Sequence, residues 1–489
     1  MSLAFDFPQT AVGLPSSLKY ELPPSLPDSA RAYNVAVSPN GITQVTGTAL
    51  PASLFTSAGS MPSTNFNSQI LAFDIPCGQG HVFLDPKETM LNFRLTWTVT
   101  GASSATAPAL NLIGSAASFF DALTIYHNNT PVEIVQNYNL LHNLLMNSSV
   151  NSSERYGGIS VGCGADTNTM TGIDLPHAAT NISYFNFCIP LCSIIGLNCD
   201  KLIPVGYLQN LQLQLQTANI LPVASYCTAV ATQPVISAPV LDQFTLNMKY
   251  IDVGDVAANL LSQTLQDGKW FIKASTYTNS NITVPMGSNG TSSLLFQIRN
   301  SSVKSLFIQH GIAASAACPN GYYDAINPAL TSLQCSVAGV KYPNKPLNPS
   351  QRPAECFAAL MSAWGASSLK SFGGTMYRGN YGATIPSRPT TSDNMIVVPG
   401  LTTGGLRPAS NSDTTSEVIV SFPNMHYQGF DLERVSGSLF SGVNTRSAPP
   451  YIDVTFGAAS TSTIQSYAWG LSDVVLVIDT TTKHLQAYI

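Results

Sequence analysis

Charge is the scarcest property of this sequence. Its 489 residues include 21 Lys and Arg and 26 Asp and Glu, 10% charged in all, where an ordinary soluble domain carries roughly 25%. Membrane insertion does not account for the shortfall. A spanning helix needs about 20 mostly apolar residues in a row, and the long charge-free stretch Leu202 to Leu241 is broken by Gln, Thr, Asn, Ser and Pro. There is no run of Lys or Arg and the net charge is −5, which leaves no electrostatic footprint for nucleic acid or an anionic membrane surface. A secretory leader is not visible either. The nine cysteines, Cys77, Cys163, Cys188, Cys192, Cys199, Cys227, Cys318, Cys335 and Cys356, are odd in number and irregular in spacing. They read as reduced thiols of a cytosolic or nuclear protein, not as a disulfide framework. Seven Asn-x-Ser/Thr patterns, at Asn147 and Asn281 among others, arise by chance in a chain this rich in those residues when no export signal accompanies them.

In place of charge the chain carries Ser, Thr, Asn, Gln and Gly, small polar residues that lose little entropy when ordered against a partner. Such a surface suits burial against copies of itself. The length exceeds one conventional core, so two domains of about 200 residues each are expected. Residues 1–65 hold eight of the 32 prolines with no sustained period, which reads as an extended arm, a disordered leader being the plain alternative. From Gln69 the pattern turns to strands: Met90–Val99, Phe119–Tyr126, Leu211–Gln216 with Leu211, Leu213 and Leu215 on one face, and Phe244–Val253. One helix interrupts them. Thr130-Pro131-Val132-Glu133 has capping-box spacing with Pro at the first helical position, followed by Ile134, Tyr138, Leu141 and Leu145; the spacing predicts a helix ending near 147–153. The second half repeats the grammar in Trp270–Tyr277, Leu294–Arg299, Val303–His310, Glu417–Phe422, Ile452–Phe456 and Asp473–Asp479. Two antiparallel sandwiches in tandem are the economical reading.

No catalytic constellation stands out. Gly158-Ile-Ser160-Val-Gly162 spells a nucleophile elbow with Asp174 and His177 behind it, but no strand precedes it and no helix follows. Ser367-Ser-Leu-Lys370 and Ser392-Asp393-Asn394 imitate two elements of a serine β-lactamase without the Lys-Thr-Gly that completes it. Cys188, Cys192 and Cys199 lack a second pair at zinc spacing, and the histidines His81, His127, His142, His177, His310, His426 and His484 are scattered. His142 reads as a helix-surface or interface residue. Gly162-Cys-Gly164 lacks the rest of a dinucleotide loop, and no acidic pair offers general acid and base. The expectation is no enzyme, with no catalytic, cofactor or metal site.

Several segments together resemble the double jelly-roll major capsid proteins of Polinton-like viruses and virophages. They are Phe83-Leu-Asp-Pro-Lys87, Phe120–Tyr126, Pro131–Leu145, Phe187-Cys-Ile-Pro-Leu191, Leu202-Ile-Pro-Val-Gly206, Leu439–Thr445, Pro449–Thr455 and Asp473–Ile478. The likeness runs from about residue 70 to 489, with unaligned loops at 147–183 and 311–416. It implies an all-β fold of two eight-stranded jelly rolls with short inserted helices, 66–262 and 263–489, behind the arm 1–65. It further implies a homotrimeric, pseudo-hexameric capsomer tiling an icosahedral double-stranded DNA shell. The partners would be neighbouring capsomers with minor capsid and penton proteins; no sequence-specific nucleic-acid contact and no transmembrane segment is expected. The location would be the virion, assembled in host cytoplasm or nucleus. A carbohydrate-binding or adhesive β-sandwich is the alternative.

Overall fold

The computed structural model describes residues 30–47, 68–100, 109–110, 116–148, 162, 173–174, 180–218, 224–225, 235–236, 239–263, 265, 267–285, 287–312, 325–365, 381, 395–399, 417–421, 425–435, 439–457 and 463–489. The first half builds eight principal strands: β1 (Arg31–Val37), β2 (Ile70–Ile75), β3 (Val82–Thr100), β4 (Phe120–His127), β5 (Thr130–Gln136), β6 (Thr180–Pro190), β7 (Leu211–Thr217) and β8 (Val240–Asp252). They form two antiparallel sheets. In one, β8 lies between β1 and β3, and β3 pairs on to β6; in the other the order is β2, β7, β4, β5. The Leu/Gln strand shows why sequence alternation becomes a sandwich. Leu213 pairs with Phe73 on one side and Ile125 on the other, and all three side chains are buried. Opposite them Phe93 on β3 gathers four rings at 5.3 to 6.0 Å, those of Phe119, Phe120, Phe187 and Phe244. Each such ring contributes roughly 1.5–3 kcal/mol by leaving water.

The second half repeats the plan: β9 (Lys269–Val284), β10 (Gly290–Leu295), β11 (Val303–Ile312), β12 (Leu330–Val337), β13 (Val340–Leu347), β14 (Gln428–Asp431), β15 (Tyr451–Phe456) and β16 (Ile464–Asp479). Its sheets run β9, β16, β11, β14 and β10, β15, β12, β13, the first-half orders with eight added to every number. A final strand, β17 (His484–Tyr488), turns back on β16. The halves are joined by α2 (Gly254–Gln263), and in each a helix follows the fifth strand: α1 (Tyr138–Ser148) and α3 (Pro353–Ala363). One docking device also recurs. The loop before the seventh strand bridges back to the third, Ile203 to Leu84 in the first half and Val443 to Val303 in the second. The approach is so close that a Cβ on Gly206 would lie 2.1 Å from Gly80 O, and one on Gly442 2.4 Å from Val303 O.

Three expectations change. The Thr130-Pro-Val-Glu133 segment is strand β5, not the start of a helix. Asn128 and Asn129 take left-handed φ of 48° and 63°, the geometry of a tight hairpin turn, so the chain returns along β4 and opposes Thr130 to His127. Pro131 is tolerated because β5 is an edge strand. The helix starts only after Asn137, also left-handed. Part of the expected arm is sheet: β1 pairs with β8 from Arg31↔Asp252 to Val37↔Leu246, so the first roll takes its opening strand from residues assigned to the arm. Finally, strand β10 stops at Leu295, short of the expected Arg299.

Candidate functional site

The residues that set this chain apart from two independent sandwiches lie where the halves meet. Glu133, on β5 of the first half, is 2% exposed. Its Oε1 accepts a hydrogen bond from Thr276 Oγ1 on β9 at 2.6 Å, and its Oε2 accepts one from Ile194 N at 3.0 Å. Burial outweighs both bonds and pushes the carboxyl up to about 7. Next to it Asn137 donates to Asn279 Oδ1 at 2.6 Å, and Asn279 donates on to Ala468 O. Helix α1 presents Asn143 and Asn147, which both donate to the Tyr427 hydroxyl at 3.1 and 3.0 Å. The loop after β6 adds a backbone seam, with Cys199 bridging to Ala274 and Ser275 N donating to Asn198 O. At the far end Leu485 N donates to His127 Nδ1 at 3.4 Å, and the rings of His127 and His484 meet edge to face at 5.1 Å. Burial and the neighbouring His484 hold His127 below the usual histidine range. Trp270 closes the seam against Phe83 and Tyr207.

A polar seam of this kind fixes orientation more than it adds stability. Each bond contributes about 1 kcal/mol net, but a partner lost in the buried seam strands a desolvated group at about 1–3 kcal/mol. The two halves are thereby held in one relative position. Within the second half, Lys304 bonds Asp473 at 2.9 Å and Glu433 at 3.3 Å, while Asp473 also accepts from Ser302 Oγ and Phe440 N. This cluster ties the loop before β15 to β11 and β16.

Most of the catalytic candidates fall outside the described residues. Ser160 and His177 lie outside the described residues, as do Ser367, Lys370, Ser392, Asp393 and Asn394. Asp174 belongs to the short strand Ile173–Asp174, which pairs with Ala109–Leu110. Cys192 and Cys199 are buried and Cys188 half-buried, all as free thiols; burial raises Cys188 and Cys199. Among the described residues no group of three His, Cys, Asp or Glu is placed to hold a metal, and no helix is long and apolar enough to cross a membrane. His142, read as a helix-surface or interface residue, is fully buried against Tyr138 and so does not lie on the helix's exposed surface: the face of α1 that reads as polar is turned into the molecule. Nothing in the sequence marks Glu133 or Tyr427 as seam residues, because their partners lie far away along the chain.

No protein-family model and no curated protein matches the sequence. Solved structures do match in shape. A chain of the Sputnik virophage structure superimposes with a TM-score of 0.53 at 10% identity, over 100% of this chain and 93% of that one. The Faustovirus major capsid protein gives 0.53 at 9% identity over 95% and 92%, and the mavirus major capsid protein 0.50 at 10% over 100% and 95%. The fold is a double jelly roll. Identity this low reports architecture and nothing finer. The double jelly roll accounts for the repeated strand order and for a match that runs through both halves, so the tandem all-β expectation stands. It also gives the seam its meaning, since these contacts hold the two rolls beside one another.

Proposed function

We propose that this chain is a viral major capsid protein, a structural shell subunit without catalytic activity. The observation that carries the reading is the pairing of two complete eight-stranded rolls, locked by buried polar contacts, in a shape shared along almost the whole chain with capsid structures. Three copies would present six rolls in a nearly sixfold outline, and such blocks tile an icosahedral shell; low charge suits the repeated homotypic contacts this needs. The boundary between rolls falls within α2, near residues 262 and 263. Closed sandwiches leave few free strand edges, so many copies can accumulate before assembly without pairing edge to edge. A shell of double-stranded DNA virus type, of the Polinton-like or virophage kind, fits the motifs, with minor capsid and penton proteins as further partners. The net charge of −5 leaves neutralisation of the genome to other components.

The native mass of the purified chain under reducing conditions tests this. A species of about 156 kDa, three times 51.9 kDa, is expected, with shells visible by electron microscopy at higher concentration. A monomer at every concentration would overturn the reading.

A further inference from the structure

At the end of the first roll where β4 turns into β5, a cavity of about 570 Å³ opens between the β4–β5 turn, the end of β2 and the start of β7. Asp74, Tyr126, Asn129, Gln209, Asn210 and Gln212 line it. No lysine, arginine or histidine does, so an anionic ligand has no counter-charge here. The one carboxylate is already engaged: Asp74 Oδ2 accepts from Asn40 Nδ2 at 2.5 Å and Oδ1 from Gln212 Nε2 at 2.7 Å. A cation would have to displace both amides. The remaining lining is chiefly neutral and polar, which disfavours a lipid or other apolar ligand.

What is left is a set of amides and one phenol in fixed positions. Asn128, Asn129 and Asn210 hold left-handed backbones at φ 48°, 63° and 51°. Asn210 Nδ2 donates to Asn128 Oδ1 at 3.0 Å while Asn128 N donates to Asn210 O, tying the two loops together. The side chains of Tyr126, Asn129 and Gln209 carry no hydrogen bond to another described residue. Amides that donate and accept together match the paired donor and acceptor character of vicinal hydroxyls, and a half-buried tyrosine ring offers a flat surface for the C–H face of a sugar. The jelly roll itself does not require this lining. The same end of the second roll carries Arg299 and Arg446, whose guanidinium groups bond the carbonyls of Arg446 and Ile489.

We propose that the cavity is a binding site for a neutral saccharide, one or two sugar units in size. The site is separate from the assembly reading and does not depend on it.

The test uses the full chain in its native assembly, probed by saturation-transfer NMR against a panel of neutral mono- and disaccharides, with sulfated and sialylated analogues alongside, and then by calorimetry on whichever binds. The expected result is binding of a neutral sugar, no gain from added negative charge, and at least a tenfold loss of affinity in Asn129→Gly, which keeps the left-handed turn backbone, and in Gln209→Ala, both exposed positions whose substitution leaves native mass and melting temperature unchanged. Absence of any saccharide signal overturns the proposal, as does binding that survives both substitutions. Preference for a charged analogue overturns it too, as does stronger occupancy by an Asn/Ser-rich peptide that displaces the sugar. Native mass, measured on the same samples, reports the shell reading independently.

Discussion

At the residue scale the buried titratable groups make the chain's stability depend on pH in opposite directions. Glu133 has a folded pKa of about 7 against an ordinary 4.5. Folding therefore favours its protonated form; the associated stability is complete below pH 4.5 and is lost as pH rises through 7, on the order of 3 kcal/mol in all. Glu133→Gln removes that dependence, so thermal melts of the variant at pH 5 and pH 8 should differ less than those of the parent. Glu133→Ala should lower stability by about 1–3 kcal/mol at pH 5, because Ile194 N–H and the Thr276 hydroxyl lose their acceptor. His310 and His426, both buried in the second roll, run the other way: burial depresses each to about 4. Here the stability is complete above the ordinary 6.5 and is lost as pH falls toward 4. Acid unfolding followed by tryptophan fluorescence should begin below pH 6.5 and shift to lower pH in a His310→Gln, His426→Gln double variant. An unchanged acid midpoint would assign the transition to other groups.

At the element scale the hairpin β4–β5 and the strand β1 show how local spelling loses to tertiary context. Thr130-Pro131-Val132-Glu133 is a sound helix start by capping rules, yet Asn128 and Asn129 fold it into a hairpin whose Glu133 and Val135 face inward. Helix periodicity is legible from Tyr138 onward, but α1 is amphipathic only in part: Asn143 and Asn147 are buried to meet Tyr427. Residues 31–37 alternate weakly and are mostly exposed, which is why they read as arm. Their pairing with β8 makes a specific prediction about truncation. Removing residues 1–29 should leave the melting temperature and the native mass unchanged, whereas removing 1–47 strips β1 from the sheet and should lower the melting temperature. Equal melting temperatures for the two truncations would show that β1 contributes nothing. The Gly206 and Gly442 approaches belong to this scale as well. Gly206→Ala places a Cβ 2.1 Å from Gly80 O, so either substitution should destabilise by several kcal/mol, of the order found for overpacked cores, measured by urea unfolding.

At the scale of the whole molecule the sequence carried the class and the repetition. Strict alternation in Leu211–Gln216, aromatic and β-branched runs in Met90–Val99 and Asp473–Asp479, and a charge content of 10% were enough to read tandem all-β rolls with a surface suited to self-association. These are properties of short windows and of bulk composition, so no partner residue is needed to see them. The seam, by contrast, depended entirely on the tertiary structure. Glu133 meets Thr276, Asn143 meets Tyr427 and His127 meets Leu485 across 143, 284 and 358 positions of chain. No periodicity spans such separations, and an isolated Glu or Asn carries no mark of its buried partner. The cavity beside Tyr126 is of the same kind: its carboxylate comes from β2 and its amides from the β4–β5 turn and the start of β7, and only the pairing of β7 between β2 and β4 brings them together. What the sequence determined by itself was which residues leave water, because hydrophobic patterning is local. Which polar groups they take with them, and against which part of the chain, was decided by the packing of one roll on the other.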